Sequence, residues 1–305
     1  MTVKPGTKMK ESKEQSTIHV KAYGKVNLGL DVTGRRPDGY HLVRMVMQTV
    51  DLYDDITVSA LADPAACGQI FLTCDDPDLP VDHHNLAYKA AEQVLESCNI
   101  RAGVQIDIRK RIPAQAGMAG GSSDAAAVIR AMDQCFALHM DPSEQDRIAL
   151  RLGADVPFCL RKGTYLAEGI GEKLTRLADL PSCSMVIVKP DFGVSTPWAY
   201  GHFDELQASG KAMQHPDIDG LIGALNHKDI RSVADRMGNI LESAVIEAYP
   251  EIQHIKDSLV AYGAVKALMS GSGPTVFGIF SNEEKAQDAF LHLGGGKYGK
   301  FKVEF

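Results

Sequence analysis

The sequence predicts an α+β protein of two domains, on three observations. Stretches of alternating apolar residues that suit strands are interspersed with stretches of helical spacing, so neither kind of element dominates. A length of 305 residues predicts about two domains, and the pattern breaks at Asp179-Leu180-Pro181-Ser182, dividing the chain into 17–180 and 181–305. The last part runs helix, strand, strand, helix, strand, the order of an antiparallel sheet backed by helices.

Composition narrows the function. With 32 basic and 39 acidic residues the net charge is −7, the wrong sign for a protein that tracks a phosphate backbone, so no nucleic-acid partner is expected. The 45% hydrophobic and 23% charged content suits an ordinary soluble globular protein with a sizeable core. No run of apolar residues approaches the roughly 20 that a spanning helix needs, so no membrane partner is expected. Residues 1–16, rich in lysine and small polar residues, read as a disordered extension. Six scattered cysteines, Cys67, Cys74, Cys98, Cys135, Cys159 and Cys183, lack CxxC spacing and read as reduced thiols of a cytoplasmic protein.

Taken in order, Ile18 to Leu30 reads as a strand, followed by the turn Gly34-Arg35-Arg36-Pro37-Asp38-Gly39. Residues 46–61 read as extended, with Val50, Ile56 and Val58, before a Pro/Asp-rich break around Asp75-Asp76-Pro77-Asp78. Asn85 suits an N-cap, and Leu86, Ala87, Ala90, Ala91, Val94 and Leu95 recur at helical spacing. Val104, Ile106 and Ile108 alternate along a half-buried strand that runs into Lys110-Arg111. A helix beginning near Ser123 places Ala126, Ile129, Met132, Cys135 and Phe136 on one face. Met185 to Val188 forms a short strand, residues 217–262 a set of helices ended by Gly263, and 264–269, 275–280, 283–293 and 300–305 the closing strand, strand, helix and strand.

Between the strand ending near Lys110 and the helix near Ser123 lies Pro113-Ala114-Gln115-Ala116-Gly117-Met118-Ala119-Gly120-Gly121-Ser122-Ser123-Asp124. A glycine- and serine-rich turn entering a helix leaves unpaired N–H groups and positive dipole potential, a place for phosphate. Gly117, Gly120 and Gly121 permit close backbone approach and positive φ, and Ser122 and Ser123 add hydroxyls. The same residues also suit a ligand-free tight turn with a serine cap. The segment is neither a P-loop, lacking Gly-Lys-Ser/Thr, nor a dinucleotide fingerprint, lacking GxGxxG.

The segment resembles the second motif of the GHMP kinases, with Met118 in the position of a leucine. Three more regions are similar to that family in the same order: Ala22-Tyr23-Gly24-Lys25-Val26-Asn27-Leu28 with Arg36-Pro37-Asp38-Gly39-Tyr40-His41, then Leu152-Gly153-Ala154-Asp155-Val156-Pro157-Phe158, then Ser270-Gly271-Ser272-Gly273-Pro274-Thr275. The resemblance implies a ribosomal S5 domain 2-like N-terminal domain that binds ATP and a ferredoxin-like C-terminal domain that binds substrate. It sharpens to the branch whose substrate is a cytidine diphosphate-linked sugar alcohol, 4-diphosphocytidyl-2-C-methyl-D-erythritol, phosphorylated on its 2-hydroxyl in the non-mevalonate route to isoprenoids. Homoserine and mevalonate-type kinases of the same superfamily are the rival enzymatic reading, and a nucleotide-binding protein without turnover the rival from another class.

Roles follow from the resemblance. Asp155 is the implied general base, where an isolated aspartate would more often cap or turn the chain. Lys25, an ammonium on an apolar strand that needs a partner, is implied to stand beside it, and Asn27, two residues on along the same face, to share the site. Tyr40 and His41 are implied to read cytosine, with Tyr200 stacking opposite Tyr40 or else packing in the second domain. The loop from Pro113 to Ser123 would hold the ATP phosphates, with Asn85 and Lys110 flanking the adenine, although a helix cap and an exposed strand-end charge also account for those two. Mg2+ is expected with ATP, and Ser123 or Asp124 stands where it could reach the ion. Tyr23-Gly24 in place of Pro-Ala, and Gln115-Ala116 in a less glycine-rich loop, depart from the family pattern. The assembly is expected to be a monomer or homodimer.

Overall fold

The chain folds around two sheets, described over residues 16–305 by a computed structural model. The expected N-terminal extension lies outside the described residues except for Ser16, whose carbonyl accepts the Ala60 N–H. In chain order the elements are β1 Thr17–Arg35, β2 His41–Leu61, β3 Ile70–Cys74, α1 Leu86–Ser97, β4 Gly103–Arg109, α2 Gly120–Cys135, α3 Pro142–Leu152, α4 Val156–Cys159, β5 Thr164–Glu168 and β6 Lys173–Arg176. After them come β7 Ser184–Lys189, α5 Thr196–Ala208, α6 Ile218–His227, α7 Ile230–Arg236, β8 Gly238–Asn239, α8 Glu242–Ala248, α9 Glu251–Ala261, β9 Lys266–Met269, β10 Val276–Phe280, α10 Glu283–His292 and β11 Gly299–Glu304.

The first sheet runs β3-β4-β2-β1-β8, with β5 added to β2 and β6 to β5. Its spine is the antiparallel pair β1–β2, longer at the turn than the alternation predicted, because pairing continues to Arg35 and His41 through register shifts that let one strand bend. The strand β3 has no counterpart in the sequence reading: five residues with one fully apolar face gain their order by pairing parallel to β4. The second sheet is antiparallel in the order β11-β7-β10-β9, which, counted along the chain, is fourth, first, third, second, the ferredoxin-like arrangement.

Local chemistry explains the helices that frame the site. Asn85 caps α1 through Ala87 N–H as expected, Asp141 caps α3 ahead of Pro142, and Gly263 at φ +95° follows the end of α9. The helix near Ser123 starts three residues earlier, at Gly120, because Ala119 in the left-handed region turns the chain and no side chain caps it. Ala90, Ala91 and Val94 of α1 and the alanine-rich face of α2 bury against Val58, Ile106 and Ile108. A second cluster joins Val26, Leu28 and Val46 of the first sheet to Met185, Ile187 and Phe277 of the second. Residues 238–239 leave the second half to pair as β8 with Gly29 and Leu30 of β1, so the halves share a sheet as well as a core. No helix among the described residues is long and apolar enough to cross a membrane, and the six cysteines are all unpaired.

Candidate active site

A cavity of about 760 Å³ opens where the β1–β2 hairpin, the loop before α2, the turn before α4, helix α5 and the loop between β9 and β10 converge. Lys25 and Asp155 stand on its wall. The Lys25 ammonium is 4% exposed, donates to Asn27 Oδ1 at 2.7 Å and to Gly117 O at 3.1 Å, and lies 3.7 Å from Asp155 Oδ2. Strand alternation places Lys25 and Asn27 on one face, and these acceptors replace the water a buried ammonium loses. Asp155 is a third exposed, between Gly153, which ends α3, and α4, and it makes no capping bond, leaving its carboxylate free for the cavity.

Two glycine loops meet at this point. A Cβ on Gly117 (φ +70°) would stand 2.3 Å from Ser270 O, so only glycine permits the approach. Ser270 Oγ donates to Gly117 O and accepts from Asn27 N–H, joining both loops to β1. Asn239, which the sequence reading passed over, donates to Met269 O and Gly271 O and so holds the β9–β10 loop in place.

The loop before α2 differs in detail from its reading. Gln115, Ala116, Gly117, Ala119 and Ser122 line the cavity, whereas Pro113 and Ala114 do not. Met118 and Ala116 are buried in the core, which anchors the loop and explains an apolar residue at the position of the family's leucine. Gly117 has the expected positive φ, but Gly120 and Gly121 are helical, and the other left-handed positions are Gln115 (φ 49°) and Ala119 (φ 58°). The exposed Gln115 side chain lies against Gly193, where a Cβ would stand 2.5 Å from Gln115 Oε1. Ser123 does not cap α2: its hydroxyl, one turn into the helix, donates to Tyr23 O at 2.7 Å. The first N–H groups of α2, at Gly120 to Ser122, have no intrahelical partner and point to the loop side, where an anion is favoured.

Lys110 and Asn85 stand apart from the residues that line the cavity. Lys110 is not an exposed strand-end charge: it is buried, with Nζ 2.6 Å from Asp54 Oδ2 and 2.7 Å from Asp124 Oδ2, and neither it nor Asn85 lines the cavity. Asn85 uses its amide on Ala87 N–H and Pro80 O. Burial, opposed by Lys110 and reinforced by Asp54, pushes the Asp124 carboxyl up to about 7. Asp124 is 3% exposed, and neither it nor Ser123 lines the cavity. Asp82, His83 and His84 cluster on an exposed loop and line no part of the cavity.

At the opposite end His41 begins β2, its ring stacked on Tyr200 (centroids 4.7 Å, planes at 28°), and Tyr40 is 61% exposed at the rim. The ring stacked directly on Tyr200 is thus that of His41. His41 Nε2 lies 2.7 Å from Asp204 Oδ1, and Arg35 Nη1 lies 3.0 Å from Asp204 Oδ2. Asp204 and Arg35 were missed; the signal was the four-residue spacing of Tyr200 and Asp204, one face of a helix. Burial, with the nearby Asp155 charge, holds the Tyr200 phenol well above its usual range.

A phosphate-favouring helix start, a buried lysine beside a free carboxylate and an aromatic end pocket define the class: a kinase of small molecules. Residues 85–163 match the GHMP kinases N terminal domain and residues 221–296 the GHMP kinases C terminal domain. The chain belongs to the GHMP kinase family. It is 48% identical to the 4-diphosphocytidyl-2-C-methyl-D-erythritol kinase of Lachnospira eligens over 92% of this chain and 95% of that one. It is 45% identical to the kinase of the same name from Acetivibrio thermocellus, over 94% and 99%. A crystal structure of 4-(cytidine 5'-diphospho)-2C-methyl-D-erythritol kinase superposes with TM-score 0.78 at 31% identity, covering 94% of this chain and 98% of that one. The homoserine kinase of Cytophaga hutchinsonii shares the fold (TM-score 0.75, 20% identity, 97% and 96% covered). The family resemblance and the two-domain α+β architecture both hold.

Proposed function

We propose that the protein transfers the γ-phosphoryl group of ATP to the 2-hydroxyl of 4-diphosphocytidyl-2-C-methyl-D-erythritol, giving the 2-phosphate and ADP, a step toward isoprenoid precursors. The observation that carries the reading of the site is the Lys25–Asp155 pair, set between the start of α2 and the aromatic end of one cavity. Asp155 accepts the proton of the substrate hydroxyl as its oxygen attacks phosphorus. Lys25, anchored by Asn27 Oδ1 and Gly117 O, keeps Asp155 oriented and its positive charge beside the attacking oxygen. The N–H groups at the start of α2 hold phosphate oxygens, while the two glycine loops bring the backbone within reach of them.

His41, Tyr40 and Tyr200 form the end that takes the cytidine base. His41, with Nε2 engaged by Asp204, is held in one orientation, which leaves Nδ1 for a ligand. Magnesium enters with ATP. The Ser122 hydroxyl is a hard oxygen donor that lines the cavity beside the start of α2, and one or two such donors beside the phosphates would hold Mg2+. When bound, the ion neutralises charge on the phosphates. A coupled assay of ADP release over a panel of alcohols tests the reading: turnover with the cytidylyl substrate and none with homoserine or mevalonate is expected, and the reverse pattern would transfer the assignment to another GHMP kinase.

A further inference from the structure

Strand β9 ends the second sheet and pairs with β10 on one side only. Such a strand leaves outward N–H and C=O groups that need other partners. At Met269, its last residue, two side chains supply them. The Met269 N–H donates to Glu242 Oε1 at 2.8 Å, and Met269 O accepts from Asn239 Nδ2 at 2.8 Å. Asn239 Nδ2 also donates to Gly271 O at 2.7 Å, while Asn239 Oδ1 accepts the N–H of Leu241. Glu242 is fixed in turn by Lys256 of α9, whose Nζ lies 2.7 Å from Oε2, with both side chains 16% exposed.

Both bonds of the clamp lead back to the chemistry. Asn239 lies on β8 in register with Leu30, and the N–H of Ile240 donates to Leu30 O, so the clamp is anchored to the strand that carries Lys25 and Asn27. On the other side of the loop, Ser270 Oγ accepts the Asn27 N–H and donates to Gly117 O, the same carbonyl that accepts from Lys25. The enclosed segment holds Gly271 at φ +59° and Gly273 at φ +85°, a backbone with little conformational preference of its own. It is closely packed: a Cβ on Gly271 would stand 3.1 Å from Gly117 O and 3.4 Å from Lys25 Nζ. A clamp that served only to hold the second sheet together would have no need to bond the loop beyond β9, at Gly271.

We propose that Asn239 and Glu242 are positioning residues for phosphoryl transfer: by fixing Met269 and Gly271 against β1, they hold Ser270 and Gly117 O where Lys25 stays directed at Asp155. Neither residue lines the active-site cavity. They stand behind the loop, in the wall of a second cavity of about 940 Å³ that Lys256 also lines. The proposal rests on the kinase reading and concerns the alignment of its Lys25–Asp155 pair. A misplacement of about 1 Å at a reacting centre can lower the rate about 10²-fold.

The test compares Asn239→Asp, Glu242→Leu and Glu242→Gln in the full-length protein, with kcat and the KM of each substrate measured separately and the folded fraction set by denaturation. Asn239→Asp keeps the acceptor for Leu241 and loses both bonds to the loop, and Glu242→Leu loses the bond to Met269. Each is expected to lower kcat about tenfold or more, with the KM for the cytidylyl substrate within about threefold of wild type, because the aromatic end is untouched. Glu242→Gln keeps an oxygen for the Met269 N–H and is expected to retain kcat within about threefold. If Glu242→Leu does not fold, Asn239→Asp set against Glu242→Gln carries the comparison. Folded variants that turn over at the wild-type rate despite lost stability, a KM for the cytidylyl substrate that rises in step with the fall in kcat, or a Glu242→Gln protein as slow as Glu242→Leu would overturn the proposal. Wild-type protein with no turnover of the cytidylyl substrate would instead remove the kinase reading beneath it.

Discussion

Lys25 Nζ stands 3.7 Å from Asp155 Oδ2, joining a strand of the first sheet to the turn between α3 and α4 across some 130 residues of sequence. The lysine is fixed by Asn27 and Gly117, so the carboxylate is the member of the pair left free for a ligand.

From that asymmetry it follows that Asp155→Asn loses the proton acceptor without losing the nucleotide site. Loss of a general base costs about 10²–10⁴-fold in rate, so kcat is expected to fall by that order while ADP affinity stays within a factor of about two. Rapid-quench turnover and ADP titration check it. A variant at wild-type rate would remove Asp155 from the mechanism.

Gly117→Ala is expected to disable the protein through shape alone. The new Cβ would stand 2.3 Å from Ser270 O on a backbone at φ +70°. Left-handed strain costs about 1–2 kcal/mol, and separating the two loops adds about 1–3 kcal/mol of overpacking. Chemical denaturation should show a loss of at least about 2 kcal/mol, with the KM for ATP raised. Unchanged stability would mean that the loops do not meet as described.

Much of the site was legible and some of it was not, for physical reasons. Lys25, Asn27, Asp155 and the glycine turn sit in contiguous motifs whose local pattern is unusual, an ammonium on an apolar strand and glycines before an alanine-rich helix. The burial of Lys110 was not legible because an exposed strand-end lysine and a buried one look alike until their partners are known, and those partners lie 56 and 14 residues away. The sequence did hold a clue: Leu52, Asp54, Ile56 and Val58 occupy inward positions of β2, so Asp54 is an acid in a core register. Strand β3 escaped because its order comes from pairing with β4, and α5 because its start, Thr196-Pro197-Trp198, shows no helical period. The helix before Asp155 and the closing helix–strand–strand–helix–strand order were read correctly because period and caps agree.

The pH dependence of stability should carry the mark of Asp124. Its carboxyl ionises near 7 in the folded protein, raised first by burial, against an ordinary 3.8. A raised carboxyl means that the folded state holds a proton the unfolded chain has released, so this contribution is full below about pH 4 and is lost as pH rises through about 7. Asp124→Asn removes the titration. Denaturation at pH 5 and pH 8 should therefore show the asparagine variant gaining on wild type at the higher pH, and a difference that does not vary with pH would contradict this account of the cluster.

Asp204 is expected to matter for one substrate only. Its carboxylate orients His41 and Arg35 at the aromatic end, far from the glycine loop. Hydrogen bonds to a charged group contribute about 1.5–3 kcal/mol, so Asp204→Ala should raise the KM for the cytidylyl substrate by about 10- to 100-fold and leave that for ATP alone. Steady-state kinetics with each substrate varied in turn checks the split. A KM for ATP that rose in step would place Asp204 in general packing.

The central claim, that this cavity phosphorylates the 2-hydroxyl of a cytidylyl sugar alcohol, is tested most directly by phosphorus NMR of a reaction containing the purified protein, ATP, Mg2+ and 4-diphosphocytidyl-2-C-methyl-D-erythritol. The account predicts a new phosphomonoester signal on the 2-position, growing in step with ADP, with the diphosphate linkage intact. ADP formed without that signal, or a phosphate placed on another hydroxyl, would contradict it.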